Sequence, residues 1–308
     1  MEKVLLVAGG GTLGTYVTEE LISKGVYVDV ICLEDYKSSQ MVTYYKEKVN
    51  FEYIKEFLDG KEYSAIVDFL HYTDVKDYEQ MYNLYSEHTR QIVYLSSYRV
   101  YANEEHPIKE ESPTWLDVNV SKEFIETENY AMPKLRCEAF LKSRPKKNWT
   151  IVRPVISFSN RRFDLFMYTG QMIISKAKNK EKIVLPIDVK NITAGIDWAG
   201  NTGKLMGKLL MNENALGEAF TISSGQNISW GNLADIYSEV FGIDVDWVSM
   251  EDFIKYGPDM SGNKWGLKYD RIFDRTVDAT KVLKATGMKK EDFKSIKEAL
   301  IYEINKIK

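Results

Sequence analysis

The sequence predicts an α/β protein built on a doubly wound parallel sheet, followed by a smaller α/β part. Three observations lead there. Short apolar runs alternate with amphipathic stretches through the first half of the chain. A glycine-rich turn joins the first run to the first amphipathic stretch, and after about residue 155 the alternation gives way to longer helical patterns with isolated short strands. Strand–helix–strand units with right-handed crossovers cover both faces of one sheet with helices.

Val4-Leu5-Leu6-Val7 is a continuous apolar run, as expected for a strand buried on both faces. Leu13, Val17, Leu21 and Ile22 then fall on one helical stripe closed by Gly25. Residues 27–33 read as a strand, 42–45 as a weak strand and 50–58 as a helix with Phe51, Ile54, Phe57 and Leu58 on one side. Residues 65–70 read as a strand, 78–85 as a helix and 92–95 as a strand. The acidic segment 103–128, with Pro107 and Pro113, is expected to be a surface loop. A helix follows to Ser143; Pro133 is tolerated only in a first turn, so its start is expected at Asn129 or Tyr130. Residues 149–152 make a strand ended by Arg153-Pro154. Beyond it, 163–178 and 196–211 look helical, 219–222 looks like a strand, Ser229 caps a helix closed at Gly242, and a last helix spans 295–307. The expected division is 1–155 for a dinucleotide-binding domain and 156–308 for a mainly substrate-binding part, with interleaving.

Composition narrows the function classes. Apolar residues are 44% and charged residues 28% of 308, which excludes a disordered chain. Acidic side chains outnumber basic ones, 45 to 41, for a net charge of −4, which disfavours a nucleic-acid partner. Cys32 and Cys137 give no disulfide framework, and three scattered histidines (His71, His88, His106) give no metal pattern. No apolar run reaches the ~20 residues of a membrane span. A reducing, cytoplasmic setting without a bound metal is expected.

Gly9-Gly10-Gly11-Thr12-Leu13-Gly14 is a G-x-G-x-x-G between a strand and a helix. In such a turn Gly9 permits the tight turn, Gly11 lets backbone approach a pyrophosphate, and Gly14 lets helix and strand pack closely. The helix N-terminus then offers open amides to the anion. Glu34 and Asp35 stand where a ribose-binding acid is expected, and Lys37 could meet a 2′-phosphate. NAD and NADP both stay open, with NAD favoured. Tyr130-x-x-x-Lys134 places a phenol and an ammonium on one helix face, where the ammonium lowers the phenol pKa and makes Tyr130 a usable acid/base. Ser96 and Ser97 end a strand on the ligand-binding edge of the sheet, where a serine can hydrogen-bond a substrate oxygen or cap a turn.

Together, Gly9-x-Gly11-x-x-Gly14, Ser96-Ser97-x-x-Val100-Tyr101, Tyr130-x-x-x-Lys134 and Arg153-Pro154 resemble the extended short-chain dehydrogenase/reductase superfamily, the NAD-dependent epimerase/dehydratase family, with its Rossmann-type fold. The likeness continues through Ile196-Asp197-Trp198-Ala199 and 219–223. It implies an NAD(P)-dependent epimerase or reductase acting on a nucleotide-activated sugar or similar alcohol or ketone. Tyr130, Lys134 and Ser97 are then the catalytic group. The cofactor runs along Gly9, Gly11, Thr12, Leu13, Gly14, Glu34, Leu70, Ser96, Lys134, Pro154 and Val155. The substrate meets Ser97, Tyr98, Arg161 and Arg162, and a homodimer forms through the helices around 78–85 and 129–143. Three features depart from the family pattern: a glycine turn one residue tighter than G-x-x-G-x-x-G, no adenine-binding aspartate near Tyr45-Lys46-Glu47-Lys48, and no recognisable nucleotide-phosphate segment at 158–162. They keep open a second reading, a non-catalytic relative that acts as a sensor, scaffold or RNA-binding protein. Tyr98 and Arg99 after Ser97 make dehydration less expected than epimerisation or reduction.

Overall fold

A computed structural model describes residues 2–261 and 264–307. The chain begins with β1 (Lys3–Val7), α1 (Thr12–Ser23), β2 (Tyr27–Cys32) and β3 (Val42–Lys46). It continues with α2 (Phe51–Leu58), β4 (Ala65–Asp68), α3 (Val75–His88) and β5 (Ile92–Leu95). Next come α4 (Lys122–Thr127), α5 (Ala131–Ser143) and β6 (Trp149–Pro154). Strands β1 to β6 lie in one parallel sheet whose seventh member is supplied from far along the chain, as expected of a doubly wound fold.

After β6 the chain forms β7 (Ile156–Phe158), the hairpin β8 (Asp164–Leu165) and β9 (Tyr168–Thr169), α6 (Gly170–Asn179), β10 (Ile183–Pro186) and β11 (Ile196–Trp198). Then follow α7 (Ala199–Leu209), β12 (Glu218–Ile222), α8 (Trp230–Phe241), β13 (Val245–Val248), α9 (Met250–Tyr256), α10 (Lys264–Gly266), α11 (Thr280–Thr286) and α12 (Ile296–Asn305). The sheet order is β12-β6-β5-β4-β1-β2-β3. The chain leaves β1 towards β2 and β3, then crosses back to β4, so the crevice opens between the carboxyl ends of β1 and β4.

Alternation along β1 sorts the core. Val4 and Leu6 join Val17 and Leu21 of α1 and Leu205 and Leu209 of α7 on one face. Leu5 and Val7 join Ile54, Tyr78, Cys137 and Leu141 of α2, α3 and α5 on the other. A third apolar cluster lies beyond the carboxyl ends of the strands and contains Trp198, Trp230, Leu233 and Leu300. The helices through which the resemblance implies a homodimer expose Lys76, Asp77, Gln80, Asn83 and Glu87 from α3 and Arg136 from α5. Among the described residues no helix is long and apolar enough to cross a membrane, and no group of three or more His, Cys, Asp and Glu side chains is placed to hold a metal ion.

Four expected elements differ. Residues 103–128 are not a free surface loop: Trp115 and Phe124 are buried in the third cluster, Ile108 bridges to Val277, and 122–127 is helical. Residues 163–169 form a hairpin, because Phe166 takes a left-handed φ of 56° and turns its ring onto Trp230 and Phe253. Residues 196–198 pair with β7 before α7 begins. The helix after Asn129 starts at Ala131, with Tyr130 as its non-helical cap residue (φ −122°, ψ −64°).

Candidate active site

The turn after β1 is made by Ala8, which takes φ 56°, so Ala8 rather than Gly9 supplies the left-handed residue. The positions 8, 11 and 14 thus reproduce the wider family spacing with alanine in first place. Gly9 is required for a different reason: a Cβ there would lie 2.6 Å from the Leu6 Cβ. At Gly14 an added Cβ would lie 2.0 Å from the Gly9 carbonyl oxygen, so only glycine lets α1 sit this close to the turn. Gly11 faces the crevice, and a Cβ on it would meet no atom within 4 Å. No side chain caps α1 and no acid stands in its first turn, which leaves its amides and positive dipole end open. This bare backbone suits a dinucleotide pyrophosphate.

Facing the turn across a cavity of about 410 Å³ is the side-chain group from β5 and α5. Gly11, Thr12, Leu13 and Gly14 line the cavity together with Ser97, Tyr98, Tyr130, Pro154 and Val155. The Glu128 carboxylate accepts from the amides of Tyr130 (3.1 Å) and Met132 (2.9 Å), capping α5 and fixing the Tyr130 backbone. Lys134, one turn on, donates to the Leu95 carbonyl (2.6 Å) with Nζ 5.4 Å from the Tyr130 ring centre. The Ser97 Oγ accepts from the Arg99 amide (3.2 Å), and its hydroxyl lies beside the Tyr130 phenol. Burial pushes that phenol up, but the Lys134 ammonium, the Ser97 hydroxyl and the Arg99 and Arg162 guanidinium groups outweigh it and hold Tyr130 below its ordinary pKa. The Arg99 guanidinium lies 4.8 Å from the ring centre, and His71 stacks on the ring at 5.6 Å. A phenol so held can exchange a proton with a substrate hydroxyl in the cavity.

Other expected residues are placed differently. Ser96 lines the cavity, but its hydroxyl donates to Glu138 (2.5 Å). Glu138 in turn receives two bonds from Arg153, at 2.9 and 2.5 Å, and Arg153 reaches the Tyr101 hydroxyl at 2.7 Å. Arg153 is therefore a buried brace, and Pro154 is the member of that pair that meets the cavity. Phe69 rather than Leu70 lines the cavity; Leu70 packs with the α2–α3 core and donates its amide to Asp68. Asp68, at the carboxyl end of β4, is fully buried, accepts from the Tyr72 hydroxyl (2.6 Å), and is pushed up to about 6 by that burial. Glu34 is exposed at the end of β2, with its carboxylate against Gly10. Arg161 and Tyr36 both donate to the Gly10 carbonyl, at 2.6 and 3.1 Å, which holds Arg161 against the turn after β1. Arg162 lines the cavity and pairs with Asp164 (2.6 Å). Sequence reasoning did not assign Arg99, Phe69, Ser157 or Arg271 to the cavity wall. For Arg99 a signal existed, its place two residues after Ser97; Arg271 lies far along the chain and carries none.

No protein-family model matches the chain, and no curated protein matches it in sequence. Solved structures do resemble it. A UDP-glucose 4-epimerase from Thermotoga maritima, solved with UDP-glucose, superposes with a TM-score of 0.73 at 16% identity, over 99% of this chain and 98% of that one. A UDP-glucose 4-epimerase from Stenotrophomonas maltophila, with bound NAD and formylated UDP-arabinopyranose, gives 0.72 at 13% over 99% and 97%. An epimerase from Methanothermobacter thermautotrophicus gives 0.72 at 15% over 99% and 91%. At these identities the likeness shows the fold.

Proposed function

We propose that the protein is an NAD-dependent epimerase or reductase acting on a nucleotide-activated sugar. The observation that carries this reading is the Tyr130 phenol, held beside Lys134 and Ser97 at the one cavity that the Gly11–Gly14 backbone also lines. The UDP-sugar epimerases that share the fold support the substrate class, and the NAD bound in one of them supports the cofactor. Glu34 at the end of β2 also favours an unphosphorylated ribose.

NAD along the turn would supply a hydride acceptor and, once reduced, the matching donor. Gly11, Gly14 and the first turn of α1 would hold its pyrophosphate, and Pro154 and Val155 would flank the ring. Ser97 would orient the substrate hydroxyl. Tyr130, as phenolate, would take the hydroxyl proton while the hydrogen on the same carbon leaves as hydride, giving a ketone. Return of the hydride to the other face of that ketone, with the proton given back by Tyr130, would invert the carbon with no net oxidation. Lys134 would keep the phenolate accessible near working pH.

The test is Tyr130→Phe assayed on nucleotide sugars with NAD present. Turnover should fall by about 10²–10⁴-fold while the NAD dissociation constant holds. Full activity in that variant would remove Tyr130 from the reaction, and failure of the wild-type protein to bind NAD would remove the enzyme reading altogether.

A further inference from the structure

Three guanidinium groups line the cavity: Arg99, Arg162 and Arg271. Two of them have short carboxylate bonds. Arg162 meets Asp164 at 2.6 Å, and Arg271 meets Asp270 at 3.2 Å. Arg99 is different. Its nearest carboxylates are Asp270 at 3.7 Å and Glu128 at 3.8 Å, both beyond hydrogen-bond length.

Those two acids make their short contacts elsewhere. Glu128 caps α5 through the amides of Tyr130 and Met132, and Asp270 faces Arg271 and Arg275 at 3.2 and 3.3 Å. The linked group of Arg99, Arg162, Arg271 and Arg275 with Glu128, Asp164 and Asp270 holds one more positive than negative charge. Arg99 is also anchored. Its amide donates to Ser97, its carbonyl accepts from the Trp115 indole (2.7 Å), and only 20% of its side chain is exposed. A largely buried guanidinium with long contacts on its protein side still needs acceptors for its N–H groups, and its open side is the cavity.

We propose that Arg99 is a specificity residue that receives a carboxylate carried by the sugar next to the reacting carbon, so that the substrate is a nucleotide-activated sugar acid. The inference rests on the function proposed above and narrows its substrate. The planar fork of Arg99 fits a carboxylate with two parallel bonds, and its place against the Tyr130 ring puts that carboxylate at the reacting end of the sugar. The other oxyanion of such a substrate, its diphosphate, is attached across the ring from the reacting carbon.

The experiment measures binding to the NAD-saturated full chain by calorimetry, with UDP-glucuronate, UDP-glucose and UDP as probes, for wild type, Arg99→Gln and Arg99→Lys. Wild type should bind UDP-glucuronate at least about tenfold tighter than UDP-glucose, and Arg99→Gln should erase that preference while UDP affinity stays within about twofold. Arg99→Lys should restore part of the preference, because it keeps the charge and loses the fork. Equal binding of the acidic and neutral sugars by wild type, or a preference that survives Arg99→Gln, overturns the assignment and leaves the nucleotide-sugar reading standing. An equal loss for UDP and UDP-glucuronate in Arg99→Gln gives Arg99 to the diphosphate and also overturns it. If none of the three probes binds wild type, the function proposed above fails, and this inference with it.

Discussion

At the glycine-turn end the cavity wall is mostly main chain: Ala8, Gly11, Gly14 and the first turn of α1, whose N-terminus no side chain caps. At the Tyr130 end it is side chain: a phenol, a serine and three guanidinium groups, with the Lys134 ammonium held on the Leu95 carbonyl close behind the phenol. The first end can hold any ligand with a pyrophosphate, because backbone amides read charge and little else. The second end is tuned, because its charges sit close together and largely out of water, where a neighbour a few ångströms away moves a proton equilibrium. Variants on the two ends should therefore fail in different ways.

The largest stability effect belongs to the bracing on the side-chain end. Glu138 and Arg153 are both fully buried, and removing one leaves the other charge without a partner. Glu138→Gln is expected to cost about 3–5 kcal/mol in denaturant unfolding. Burial opposes the Glu138 charge, but Arg153, Lys142 and Ser96 outweigh it and hold its carboxyl below the ordinary range. A depressed folded-state pKa adds stability that is full above the unfolded value and is lost as pH falls through the folded one. Wild type should thus lose stability below about pH 4.5 through this group, and Glu138→Gln should lack that component.

The backbone end should break without unfolding. Gly11→Ala places its Cβ in open space, so its melting temperature should match wild type, while NAD affinity falls about tenfold, or ~1.4 kcal/mol. Unchanged NAD binding in Gly11→Ala would put the pyrophosphate elsewhere. The smallest effect is a gain: Ala8→Gly relieves a left-handed alanine and should stabilise the fold by about 1 kcal/mol, read as a higher unfolding midpoint.

The same contrast explains what was legible. The β1–turn–α1 unit was, since run, glycines and stripe are contiguous, and so was Ser229 as a helix cap. Tyr130, Lys134 and Ser97 were legible as a spacing, but the cap geometry that makes it work comes from Glu128, which looks like one more acid in an acidic loop. Residues 163–169 have helical apolar spacing, and only the burial of Phe166 against α8 and α9 turns them into a hairpin. The burial of Asp68 was not legible, because its partner, the Tyr72 hydroxyl, lies beyond the strand end. Arg271 reaches the cavity from 172 residues beyond Arg99 through tertiary packing, which a local pattern does not encode.

The most direct measurement of the central claim is the pH dependence of sugar oxidation by the NAD-saturated protein and its Lys134→Met variant. Activity should rise with pH as Tyr130 ionises, with a midpoint below the ordinary phenol value of 10.0, and Lys134→Met should move that midpoint up. A midpoint that stays in place when Lys134 is lost would contradict the account of Tyr130 as the ammonium-tuned base.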